Sequence, residues 1–293
     1  TANIQSYSTI FINEYGASLN LGAAGGLAIT KTVTGHALAK EQFEFKVKAV
    51  KTDTATADEA AELFGFKEGE TEVTFKNNEA AADGQTVTML KTDTNFTLKN
   101  LGKVYKYEVS EMNDKKPGYT YDDTVYTVEL WVTDDGDGTL TLHTKVTDEK
   151  GSVISEETSN ETDQKQTVLA FNNSYAGSGV LDGSANLAGT KKMDGPWEAT
   201  DKDLSGFRFT ITGGDEATNA AITAGTVVLP QSVTATSDAD GNFNFGDITF
   251  NEKGTYKFTV SEVVPAEGDK IPGVAYNAET VTIIVNVTDN DDG

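Results

Sequence analysis

Apolar and polar residues alternate with a period of two through residues 104–111, the signature of a half-buried β-strand. Tyr105, Tyr107 and Val109 fall on one face, and Lys106, Glu108 and Ser110 on the other. Glu111 breaks the pattern by landing on the apolar face. A carboxylate there is costly unless it is neutral, paired or solvated by its neighbours. The same break recurs at residues 256–262, where Tyr256, Phe258 and Val260 face inward and Glu262 joins them. One inward glutamate is a frayed strand end. Two in matching contexts mark a buried acid that the fold uses.

The same alternation predicts the remaining strands. Residues 1–16 hold one, with Thr9, Phe11, Asn13 and Tyr15 on a common face. Another starts at Leu27, with Leu27, Ile29, Lys31 and Val33 together, and others cover residues 43–47, 126–132, 139–146 and 168–175. Residues 55–66 are rich in Ala and Glu and predict a short helix lying on a sandwich. Residues 149–165 are polar and predict a mobile loop. The order then restarts: residues 187–191 repeat 27–31, residues 207–211 repeat the strand at Phe43, and residues 281–287 repeat the strand around Trp131. Small-residue runs at 17–26 and 176–186 read as linkers. The chain thus divides into a last-strand segment, 1–16, a complete domain, 27–175, and a second domain, 187–293, that lacks its last strands. Short strands punctuated by turns predict an all-β protein of tandem β-sandwiches.

Composition narrows the function classes. Lys+Arg 23 against Asp+Glu 46 gives a net charge of −23, which argues against nucleic acid and anionic membrane as partners. There are no cysteines, so disulfides and thiolate metal sites are excluded. Two histidines far apart in sequence, His36 and His143, give little basis for a metal site or a triad. The acidic turns at 134–138, 238–241 and 289–293 lack the spaced ligand series of an EF-hand loop and read as solvated hairpin turns, so no metal or cofactor is expected. Trp197, in Gly195-Pro196-Trp197, is the better candidate for an exposed aromatic than Trp131.

Candidate chemistry comes from three residue types on inward faces. Lys31 shares its face with Leu27, Ile29 and Val33, Glu111 with Tyr105 and Tyr107, and Asn173 with Leu169, Phe171 and Tyr175. Parity selects Asn173 over Asn172, and Lys191 over Lys192. Burial disfavours the charged lysine, and a neutral amine is a nucleophile. A buried carboxylic acid stays protonated, polarises a carboxamide and shuttles a proton to departing ammonia. Lysine, glutamate and asparagine packed in a dry core are therefore equipped to form a side-chain amide bond. Lys191 and Glu262 repeat two of the three. Asn13 precedes Lys31 by 18 residues, as Asn173 precedes Lys191, so the same strand–linker–strand joint occurs twice. Asn13 is expected to bond the Lys191 of a neighbouring copy, head to tail, through a donated strand or a tandem array.

These motifs have a family likeness. An apolar strand ending in Thr-Lys occurs at Leu27 to Lys31 and Leu187 to Lys191; an aromatic-x-Val-Ser-Glu strand occurs at Tyr107 to Glu111 and Phe258 to Glu262. A Phe-x-Asn-x-Tyr ending occurs at Phe171 to Tyr175 and Phe11 to Tyr15. Over nearly its whole length the sequence resembles the immunoglobulin-like, collagen-adhesin B-type domains of Gram-positive pilin shaft subunits and surface adhesins. The resemblance implies Ig-like sandwiches forming an elongated rod, and a first-strand lysine bonded to a last-strand asparagine with a glutamate as catalyst. It implies an extracellular structural stalk on a bacterial cell surface, not an enzyme beyond that single turnover. An adhesin module that binds a host protein or glycan through its loops is the alternative. Leu229-Pro230-Gln231-Ser232-Val233 begins like a cell-wall sorting signal and then diverges.

Overall fold

The computed structural model describes residues 10–195 and 203–293; Trp197 lies outside them. Two compact units emerge, one of residues up to 115 with 119–175, the other of residues 116–118 with 176–293. Each is an immunoglobulin-like β-sandwich, and among the described residues no helix is long and apolar enough to cross a membrane.

In the first unit a six-stranded sheet faces a four-stranded one. The six-stranded sheet runs in the order Val153–Ser159, Leu140–Thr147, Val125–Asp134, Tyr105–Glu111, Glu44–Val50, Glu72–Lys76. The four-stranded sheet runs Thr86–Lys91, Leu27–Thr34, Thr167–Tyr175, Tyr119–Thr120. Period-two alternation is visible in the burial: Tyr105, Tyr107 and Val109 are buried, while Lys106 and Glu108 are partly exposed. Phe45, Tyr107, Val128, Leu130, Leu140, Leu169 and Phe171 fill the space between the sheets. The first and last long strands, Leu27–Thr34 and Thr167–Tyr175, are neighbours and parallel, with Lys31 opposite Phe171 and Asn173 opposite Val33.

The helix predicted within 55–66 forms at Ala57–Leu63. Thr56 caps it reciprocally with Glu59, and Ala60 and Ala61 are buried beneath it. Tyr107 donates its hydroxyl to the Ala60 carbonyl at 2.8 Å, which ties this helix to the glutamate-bearing strand.

Three stretches depart from the sequence expectation. Residues 17–26 are not a free linker: Ser18–Asn20 pairs with Asn95–Thr97, and Leu19, Leu21 and Ala24 are buried in the first core. Two leucines spaced by small residues gave too short a pattern to read as a strand. Residues 149–165 are not a structureless loop, because Val153–Ser159 pairs along Leu140–Thr147. It is an edge strand, and an edge held chiefly by main-chain bonds needs little apolar residue content. Residues 176–186 are likewise built in: Gly179–Leu181 pairs with Ile248–Phe250, and Asp182 caps the short helix Gly183–Asn186.

The second unit places Thr234–Thr236, Arg208–Gly213, Gly254–Glu262 and Thr280–Val287 in one sheet, in that order. Ala188–Thr190 pairs with Asn242–Asn244. Where the first unit has Ile29, the second has Gly189, and a Cβ there would collide with the Phe243 ring. That ring stacks on Phe209 with centroids 3.7 Å apart, so an aromatic from a neighbouring strand supplies the missing apolar volume. A helix that the strand pattern did not predict, Glu216–Ala224, is capped by Asp215 and ended by Gly225 at φ 80°.

Candidate functional site

Lys31 and Asn173 lie on the same inward face of adjacent parallel strands, two residues apart in register. Glu111 comes from the opposite sheet, at the end of Tyr105–Glu111, where it is paired with Phe45. The acid therefore reaches across the core to the two residues it meets. Lys31 Nζ donates to Glu111 Oε2 at 2.8 Å, and Asn173 Nδ2 donates to Glu111 Oε1 at 2.9 Å. Each carboxylate oxygen thus serves one partner. Both charged side chains are sealed, with 0% exposure on each.

The enclosure is aromatic. Lys31 Nζ lies 4.6 Å from the centroid of the Phe43 ring. Phe43 is fixed from below by buried Asn77, whose Oδ1 accepts from the Phe43 N–H at 2.9 Å while its amide donates to the carbonyls of Ala39 and Glu79. Phe171 closes another side, between Phe45 and Tyr126 at centroid distances of 5.3 and 5.2 Å. Tyr126 hydroxyl donates to the Ala170 carbonyl at 2.7 Å and pins the asparagine strand against its neighbour sheet.

Burial decides the protonation tendencies. Desolvation pushes the Lys31 ammonium below the ordinary lysine value, against the pull of its bond to Glu111. Desolvation pushes the Glu111 carboxyl above the ordinary glutamate value, opposed by Lys31 and by the Asn173 amide. Both shifts favour the neutral amine beside the neutral acid. A neutral amine next to a carboxamide, with an acid able to exchange protons with both, is a complete set for amide transfer.

One residue of the site carried no obvious sequence signal. The backbone N–H of Asp122 donates to Asn173 Oδ1 at 2.8 Å, which fixes the carboxamide oxygen on one side and its Nδ2 on the Glu111 side. The Asp122 carboxylate also accepts from the N–H of Asn172 at 2.8 Å. The signal that could have found it is the repeat of Tyr121-Asp122 as Tyr276-Asn277, each ahead of a matching strand.

The second unit repeats the pair. Lys191 Nζ donates to Glu262 Oε1 and Oε2 at 2.8 and 3.0 Å, with side-chain exposures of 9% and 4%, and lies 4.7 Å from the Phe207 centroid. Asn277 N–H donates to Glu262 Oε2 at 3.1 Å. Among the described residues no asparagine side chain completes this pair. Beside it runs a groove of about 810 Å³ lined by Gly189, Lys191, Phe243, Val260, Glu262 and Val281. Asn13 is not brought to any lysine: residues 10–16 form no strand, and Ile10, Phe11 and Ile12 are exposed. Parity selected the inward member of each doublet, since Asn172 and Lys192 are exposed while Asn173 and Lys191 are buried.

Two stretches, residues 27–176 and 187–293, match the family model described as FctA, a Spy0128-like isopeptide containing domain. No curated protein matches the chain. Among solved structures it is similar to the major pilin from Streptococcus pyogenes, at 20% identity over 82% of this chain and 83% of that one, with a TM-score of 0.33. A second, the major pilin protein T-13 of Streptococcus pyogenes, is 16% identical over 92% of this chain and 94% of that one, with a TM-score of 0.35. The full-length major pilin SpaD from Corynebacterium diphtheriae is 13% identical over 92% and 65%, with a TM-score of 0.26.

Proposed function

The chain belongs to the FctA family of Spy0128-like isopeptide containing domains, and from that premise we propose that it is a structural subunit in the shaft of a bacterial surface pilus, hardened by a Lys31–Asn173 isopeptide bond. The observation that carries this reading is the convergence of Lys31 and Asn173 on the two oxygens of Glu111 in a sealed core. Lys31 Nζ attacks the Asn173 carboxamide carbon, the C–N bond forms, and Nδ2 leaves as ammonia. Glu111 takes a proton from the attacking nitrogen and delivers one to the leaving nitrogen, so it ends as it began. The reaction runs once, on the protein itself, and leaves no free enzyme site.

The arrangement of the two strands suits a load-bearing shaft. The bonded strands are parallel, so the chain enters the first and leaves the last at opposite ends. Pulling on the two ends shears this pair of strands. With the amide in place, tension passes from residue 27 to Lys31, across the bond and out through Tyr175, and the strands between carry little of it. The loop closed between Lys31 and Asn173 is long, and by loop-entropy reasoning for cross-links the bond contributes roughly 5 kcal/mol. Such a unit suits an extracellular fibre at the cell surface.

Copies join head to tail in this reading. The Phe11-Ile12-Asn13-Glu14-Tyr15 segment has the residue pattern of the Thr167–Tyr175 strand and is exposed, and the groove beside Lys191 and Glu262 is open. Asn13 of one copy would meet Lys191 of the next, with Glu262 as its acid. Intact mass tests the first bond: the monomeric wild-type chain is expected one ammonia light, and Glu111→Ala at full mass yet folded. A full-mass wild type with a free Lys31 amine overturns it. Denaturing gels test the second: heat-resistant multimers lost in Asn13→Ala support it, and a lone monomer at high concentration rejects it.

A further inference from the structure

We propose that Asp122 is a further catalytic residue of the bond-forming reaction, its backbone N–H holding the oxyanion that develops on Asn173 and its carboxylate positioning the asparagine strand. The inference rests on the Lys31–Asn173 reaction of the proposed function. When the lysine nitrogen adds to the carboxamide carbon, the C=O electron pair moves onto Oδ1. The negative charge develops at the atom that already accepts the Asp122 N–H at 2.8 Å. A main-chain donor aimed there needs no rearrangement as charge builds, and inside a dry core such a donor is worth far more than in water. As the intermediate collapses, the pair returns to form the new amide, Nδ2 departs as ammonia with the proton supplied by Glu111, and the N–H is left holding the product carbonyl.

The same N–H sets the chemistry's direction. A carboxamide turned over would set its NH₂ against a donor and withdraw Nδ2 from Glu111, so the Asp122 N–H keeps the leaving nitrogen beside the acid that must protonate it. The carboxylate has a separate task. Its Oδ2 accepts from Asn172 N–H, one residue from the electrophile, and its Oδ1 accepts from Thr124 N–H at 3.1 Å. Asp122 thereby locks its own turn to the last strand.

The second unit supplies an independent observation. Asn277 stands where Asp122 stands, after a tyrosine and ahead of the strand Thr280–Val287, and its backbone N–H also points into the lysine–glutamate site. Among the described residues it meets no carboxamide oxygen, and it donates to Glu262 Oε2 at 3.1 Å. A main-chain donor at this place is therefore a property of both units, whichever side chain the position carries. Asn277 N–H is the oxyanion donor for whatever asparagine meets Lys191.

The test is the rate of ammonia loss, followed by intact mass as the full chain refolds. Replacing Asp122 by its α-hydroxy analogue, which exchanges the N–H for an ester oxygen and keeps the side chain, is expected to slow bonding by ~10²–10³-fold. Asp122→Ala, which keeps the N–H, is expected to slow it by about tenfold through looser positioning. Asp122→Asn, which keeps one of the two accepting oxygens and can still take the Asn172 N–H, is expected to restore it to within about threefold of the wild-type rate. Asp122→Pro gives a second route to loss of the N–H, compared with the ester only if its circular dichroism stays native. An ester variant that bonds at the wild-type rate overturns the oxyanion role. Asp122→Asn as slow as Asp122→Ala overturns the positioning role. A wild-type chain that loses no ammonia fails at the earlier reading instead, and the two failures are thereby distinguished.

Discussion

The two units hold the same lysine–glutamate pair in different company. In the first, Glu111 divides its oxygens between Lys31 and the Asn173 amide, and the Asp122 N–H is occupied by the asparagine oxygen. In the second, both Glu262 oxygens take Lys191, and one of them also takes the Asn277 N–H. The pair is thus a local product of a Thr-Lys strand facing a Ser-Glu strand, and it forms with or without an asparagine side chain beside it. What the asparagine adds is an acceptor for the backbone donor and a use for the second carboxylate oxygen. The first site is sealed from solvent; the second keeps its groove open.

The largest effect expected from this contrast follows removal of the electrophile. Asn173→Ala should raise the intact mass by the ammonia otherwise lost, apart from the side-chain change, and destabilise the first unit by roughly 5 kcal/mol. Calorimetry should show this as a fall of about 10–20 °C in the melting of a unit this size. The second unit's transition should not move.

Next comes the aromatic lid. Phe43→Ala removes the ring over Lys31 and opens a cavity beside the reacting groups. About 3–5 kcal/mol of stability should be lost, and bonding should slow as water reaches the amine. Urea titration and the refolding mass time course measure the two effects separately.

A smaller, pH-dependent difference should distinguish bonded from unbonded forms. In Asn173→Ala both groups remain titratable. Lys31, whose folded pKa is lowered, takes up a proton on unfolding, so its contribution makes the variant more stable as pH rises from the lowered folded value toward the free lysine value. Glu111, whose folded pKa is raised, releases a proton on unfolding, so its contribution falls as pH rises through the acid range above the free glutamate value. In the bonded wild type Lys31 is an amide and the alkaline gain should vanish. A tenfold difference in proton affinity between the folded and unfolded chain corresponds to about 1.4 kcal/mol. Denaturant midpoints across pH 4–10 check the signs; an equal alkaline gain in the wild type would show that no bond had formed.

The smallest effect concerns the pair itself. Lys191→Met with Glu262→Gln replaces a buried ion pair by groups of similar volume, and should change the second unit by less than about 1 kcal/mol. The matching double change at Lys31 and Glu111 removes the cross-link as well and should cost the first unit several kcal/mol more. Equal losses in the two units would erase the distinction between them.

Much of this was legible along the chain because a strand's period of two assigns each side chain a face before any partner is known. Lys31, Glu111 and Asn173 could be placed inward, Asn172 and Lys192 outward, and the repeat of the whole order could be seen. Alternation does not say which strand lies beside which. Only the tertiary structure made the first and last strands parallel neighbours, brought Glu111 from the opposite sheet, and put Phe43 over the amine. It also drew residues 17–26 into the first unit, by main-chain pairing and the burial of Leu19, Leu21 and Ala24, and residues 153–159, by main-chain pairing along Leu140–Thr147. Asp122 shows the limit most plainly. Its N–H is common to every residue but proline. The repeated Tyr121-Asp122 and Tyr276-Asn277 pairs mark the place in the chain, but only the packing of one turn against the asparagine strand decided that this N–H would face the Asn173 carboxamide oxygen.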